Sequence, residues 1–240
     1  MGLTERDYVF GQASSQMALS SFTTKVYGWM TAGLALTAAV AYFIYASELY
    51  QTLMPMWWFW GIATFGIAMV ITTMLQKLSV PALALLFLGY SALEGVFFGT
   101  LLPGYAAAFG GGVIWSAFAV AAIVFLMAAV YGVFTKSDLT KIGRILSFAV
   151  VGLIAVTLLY FILSFFIQLT WMNLLISYIG LIVFVGLTAF DAQQIRMMSY
   201  QASGDTILVH KLSLVMALRM YINVIMVFWY LLQIFSSSRR

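Results

Sequence analysis

A chain of 240 residues that is 64% hydrophobic and 8% charged is not a soluble domain, in which about 25% of residues are charged. The net charge of +4 is the balance of 11 Lys and Arg against 7 Asp and Glu residues, and the basic residues are dispersed mostly over alternate connections and not gathered in a patch, which argues against nucleic acid as a partner. The absence of cysteine excludes disulfides, thiolate metal sites and a cysteine nucleophile.

Residues 1–25 are mixed and polar, carry no secretory signal peptide and read as an N-terminal segment. Seven apolar stretches follow: Val26–Ala46, Trp57–Leu75, Val80–Leu102, Val113–Phe134, Ile145–Ile167, Met172–Ile195 and Leu212–Phe235. Each is long enough to cross the ~30 Å hydrocarbon core as a helix. The runs are continuously apolar, whereas a lipid-facing strand would alternate, so the fold class is all-α integral membrane. Trp57, Trp58, Trp60 and Trp171 fall at span ends, where an indole suits the headgroup zone. Ser79 and Pro81 mark the start of the third span, one as cap and one by its fixed φ. All three prolines, Pro55, Pro81 and Pro103, are expected outside span interiors. Pro103-Gly104 and Gly110-Gly111-Gly112 are expected to bound a loop between spans three and four. The connections are too short for a soluble domain, so residues 26–235 form one transmembrane domain and residues 236–240 a tail. No internal repeat is visible.

Orientation follows from charge. Arg6 and Lys25, then Lys77, then Lys136, Lys141 and Arg144, then Arg196 and Lys211 occupy alternate connections. The opposite side carries only the terminal Arg239 and Arg240. The positive-inside rule predicts a cytoplasmic N-terminus and an external C-terminus.

Five carboxylates, Glu5, Asp7, Glu48, Asp138 and Asp205, fall in tails, loops or span ends and read as solvated surface groups. Glu94, Asp191 and Arg219 fall within spans. Left unpaired in hydrocarbon, the three charges would cost on the order of 8–10 kcal/mol, so they are expected to be paired or to face a hydrated cavity. Glu94 lies roughly 21 Å into span three. Around it Ser91, Gly95 and Gly99 form a ladder of small residues that lets another helix approach closely. Glu94 either lines a pathway or is buried for packing. Asp191 is expected near the end of span six, where a negative charge opposes the helix macrodipole unless it turns inward. Arg219 enters span seven by ~12 Å, and Asn223 follows one turn later on the same face. Asp191, Arg219 and Asn223 thus form an expected polar cluster. His210 is the sole histidine and reads as a loop residue, so a zinc site lacks ligands. No G-x-S-x-G pattern is present, and no catalytic residues or cofactor are expected.

Several motifs resemble the Bax inhibitor-1 family, the transmembrane Bax inhibitor motif proteins, in their short bacterial form. They are Val26-Tyr27-Gly28-Trp29-Met30-Thr31, Thr135-Lys136-Ser137-Asp138-Leu139 with Gly143, and Tyr178-Ile179-Gly180 leading through Val185-Gly186-Leu187-Thr188-Ala189-Phe190 to Asp191-Ala192-Gln193. The resemblance implies six helices around a central seventh and a pH-sensitive calcium leak. It also implies two aspartates that share a proton, one ending span six and one in span seven. Asp191 matches the first. Asn223 stands where the second is usual, and Arg219 in the same turn is a further departure. An amide does not titrate, so pH gating is expected to be weakened.

The function expected is therefore a cation leak, calcium above all, in a bacterial inner membrane, along a path lined by Asp191, Asn223 and Glu94. Asp191 is the candidate ligand for a permeant metal ion, since hard cations take oxygen ligands. The alternative is a regulatory protein that binds other membrane proteins, modulating a membrane protease or suppressing cell death, without transport.

Overall fold

The computed structural model describes the backbone of residues 5–73, 77–164, 170–201 and 206–238, and the side chains of most of these. The surface positions expected for Glu5, Asp7 and Asp205, the basic groups Arg6, Arg239 and Arg240, and the span ends at Leu75 and Ile167 lie outside what is described. Helices run over α1 (Glu5–Ala46), α2 (Tyr50–Leu53), α3 (Trp57–Thr73), α4 (Val80–Phe109), α5 (Gly111–Phe134), α6 (Thr140–Ser164), α7 (Thr170–Gln201) and α8 (Thr206–Ser237). Seven of them are long and apolar enough to cross a membrane, as the apolar stretches predict, and no strand occurs among the described residues. The short α2 and a 3-10 turn at Met54–Met56 run into α3 as part of the second span, Tyr50–Ile71, with Pro55 at the start of the turn, where a missing N–H costs least.

Helices exceed their apolar windows at several ends. α1 begins within the polar N-terminal segment, α7 continues to Gln201, and α8 starts at Thr206, so His210 is helical and not in a loop. Apolarity marks where the chain meets hydrocarbon. Backbone hydrogen bonding continues through good helix formers such as Gln193, Gln194, Arg196 and Met197. α4 likewise runs through Pro103, contrary to the expectation that every proline lies outside a span interior. The ring forfeits one hydrogen bond, whereas ending the helix there would strand several backbone groups in hydrocarbon. The expected loop between spans three and four shrinks to Gly110. Its φ of 84° is a conformation that a side chain would strain.

The chain divides into two compact units, Met1–Leu101 with Gln194–Arg219, and Leu102–Gln193 with Met220–Arg240. In the first, the ladder on α4 meets α1. The Thr37 hydroxyl donates to the Ser91 carbonyl at 2.8 Å. A Cβ on Gly95 would lie 2.6 Å from Val40 Cβ, and one on Gly99 would lie 2.8 Å from Ile44 Cβ. The helices touch there because both residues lack side chains. In the second unit, Val113, Ala117 and Ala121 of α5 pack with Val183, Phe184 and Leu187 of α7 and with Val227 and Leu231 of α8. The last span is the most buried of the seven and α6 the least.

Candidate functional site

Asp191 does not end its helix. α7 continues to Gln201, ~15 Å further along the axis, so the macrodipole, which acts within the last turn, does not oppose the charge. The carboxylate is 2% exposed and Asn223 of α8 is 3% exposed. Asn223 Nδ2 donates to Asp191 Oδ2 at 2.8 Å, within the second unit. An ionised carboxylate only accepts, so this bond also fixes which end of the amide faces it. The bond ties α7 to α8 between two side chains that are both buried.

Arg219 belongs to the first unit, half-buried and one turn before Asn223 on α8. Because α8 starts early, Arg219 lies ~20 Å from the helix start and not the ~12 Å expected. Glu94 is also in the first unit and 7% exposed. Tyr90, one turn earlier on α4, donates its hydroxyl to Glu94 Oε1 at 3.0 Å. Among the described residues, no three His, Asp or Glu side chains are grouped to hold a metal ion.

Gln193 is the residue whose role the sequence did not disclose. It is 3% exposed. Its Oε1 accepts the Leu139 N–H at 2.9 Å, and its Nε2 donates to the Ser137 carbonyl at 2.8 Å. Its place in the Asp191-Ala192-Gln193 motif was the only signal. In the same connection, Asp138 Oδ1 accepts the Thr140 N–H at 2.9 Å at the start of α6. Hydrogen bonds from the side chain and backbone of Thr140 hold this exposed carboxyl below the usual aspartate value.

Seven membrane-length helices and a buried carboxyl–amide tie define a polytopic membrane protein with a polar pair held in its interior. A family model described as "Inhibitor of apoptosis-promoting Bax1" matches residues 19–240. The sequence is 53% identical to that of a Chlamydia muridarum protein, covering 99% of this chain and 98% of that one. It is 37% identical to the inner membrane protein YbhL of Escherichia coli K12, covering 92% and 93%. A Deinococcus radiodurans protein is 35% identical, with 90% of each chain covered. The chain belongs to the Bax inhibitor-1 family, the one its motifs resemble.

Proposed function

We propose that this protein is a cation leak, for calcium above all, closed by the bond between Asp191 and Asn223. The observation that supports this most is a carboxylate buried within a membrane-length helix and tied to a neutral amide on another. Intramembrane carboxylates mark ion routes by default. For an ion to pass, Asn223 Nδ2 leaves Asp191 Oδ2, and the freed oxygen becomes a ligand of the hard type that calcium takes. One carboxylate makes a weak site, which suits conduction because the ion must also leave. Calcium as the ion rests on the family resemblance, and the inner membrane on the name of the Escherichia coli relative. Glu94 is proposed separately as a second cation-interacting carboxylate, and Arg219 as a gating residue one turn from Asn223. Asn223 carries no titratable proton, so the response to pH near neutrality is weak. No enzymatic step or cofactor enters this reading.

The test is purified protein in liposomes loaded with a calcium dye. A leak gives flux without any partner, and Asp191→Asn lowers it. Folded, correctly inserted protein without flux would favour the alternative, a regulatory protein acting on other membrane proteins, which the description of the family model as an inhibitor supports.

A further inference from the structure

Gln193 stands two residues past Asp191 on α7. At 100° per residue the two side chains leave the helix about 200° apart, on opposite faces. Asp191 reaches α8 and Gln193 reaches the connection between α5 and α6. Both ends of the Gln193 amide are engaged, one as acceptor and one as donor. The connection it holds is irregular in backbone but well bonded. Thr135 N–H donates to Tyr131 O at 2.8 Å, Ser137 N–H to Thr135 Oγ1 at 3.3 Å, and Gly143 N–H to Leu139 O at 2.7 Å. The Leu139 side chain is buried.

The same turn of α7 is seated on two further sides. The Ala189 carbonyl lies against Gly132 of α5, where any Cβ would collide with it, and the Phe190 ring covers Gly143 of α6. Residues 189–193 therefore sit in a socket made by α5, its connection to α6, and the first turn of α6. The bidentate amide is the directional part of that socket, since the glycines only leave space.

We propose that Gln193 is a positioning residue: it sets the rotation of α7 about its own axis so that Asp191 meets Asn223, and it makes residues 135–139 a control arm for that bond. A rotation of ~20° moves a side-chain atom ~6 Å from the axis by about 2 Å, enough to take a hydrogen bond beyond reach. Asn at 193 is one methylene too short for both partners, and Glu loses the donor to Ser137 O. The geometric claim stands by itself; only its effect on flux rests on the leak reading.

The closing experiment is a double-mutant cycle on full-length protein in micelles. Gln193→Ala, Asn223→Ala and the double variant are unfolded reversibly, with Ser177→Ala, whose hydroxyl meets Gln233 on α8, as a control pair with Asn223→Ala. Positioning predicts that Asn223→Ala shifts the unfolding equilibrium at least about threefold less when Gln193 is already Ala, whereas the control pair multiplies independently. Independent effects in both pairs would overturn the proposal. If a variant fails to refold, Leu139→Cys in membrane vesicles gives the second readout, the native chain having no cysteine. Adding Asn223→Ala should speed thiol labelling at position 139 by about threefold or more, a smaller effect than full exposure of a buried site. An unchanged rate overturns the proposal. Coupling without calcium flux in any variant would sink the leak and leave the clamp standing; flux without coupling would do the reverse.

Discussion

Gly95→Ala places one methyl group where α1 and α4 touch. The new Cβ would sit 2.6 Å from Val40 Cβ and 2.8 Å from the Thr37 carbonyl oxygen. Carbon atoms rest at ~3.5–4.0 Å, so the helices must part by about 1 Å. The Thr37–Ser91 bond, 2.8 Å long in the native interface, then stretches past the ~3.5 Å at which it ceases to be one. Overpacking costs ~1–3 kcal/mol and the interhelical hydrogen bond about 0.6 kcal/mol, together roughly 1.5–3.5 kcal/mol. Gly89→Ala on the same helix is the control, because nothing lies within 4 Å of a Cβ there. Reversible unfolding in mixed micelles, followed by tryptophan fluorescence, measures both. The expected result is a clear loss for Gly95→Ala and none for Gly89→Ala, which gains up to ~1 kcal/mol of helix propensity if it changes at all. Equal midpoints for the two variants would show that the small-residue ladder does not set the α1–α4 contact.

Single cysteines at Ser137 and Ser237 should label from opposite sides of the membrane, the first cytoplasmic and the second external; labelling of both from one side refutes the proposed orientation. Glu94→Gln keeps the acceptor for Tyr90 and removes the ionisable carboxyl, so calcium flux should fall while the unfolding midpoint moves by under ~1 kcal/mol; unchanged flux assigns Glu94 to packing. Wild-type flux should vary little between pH 6 and 8, while Asn223→Asp with Arg219→Thr, which creates a carboxylate pair, should make it steep; a steep wild-type switch abolished by Asp191→Asn contradicts closure by the Asp191–Asn223 bond. The Asp138 carboxyl, lowered by its bonds from Thr140, contributes stability above the unfolded aspartate value of ~3.9 and loses it as pH falls through the lower folded value. Its carbon resonance should titrate below ~3.9, and a midpoint at or above that value removes the cap.

Legibility followed the range of each interaction. The seven spans were readable because burial in lipid demands continuous apolarity, and Ser91, Gly95 and Gly99 because helical spacing puts them in a row. Asp191 and Asn223 could be paired because each charge or amide in a span needs a partner, although only the fold could name which. Helix ends were misplaced at Gln201, Thr206 and Phe109 because hydropathy is blind to hydrogen bonding outside hydrocarbon. Pro103 was read as a loop residue by a rule drawn from water, where a broken helix can be solvated. The Gln193 clamp left no periodic trace, since it joins a side chain to backbone groups 54 and 56 positions away.

Gly110 leaves the chain no slack between α4 and α5. Its N–H bonds back to Ala106 at 2.9 Å, and its carbonyl accepts the Val113 N–H at 3.2 Å, so hydrogen bonding passes from one helix to the next without a free residue. A joint without slack couples the two spans mechanically, so they are expected to enter the bilayer together, as a hairpin. The protein therefore tolerates a reporter or protease site least at this point, despite its lying between two membrane spans, and an insertion after Gly110 should deplete the mature protein from the membrane far more than the same insertion after Ser137.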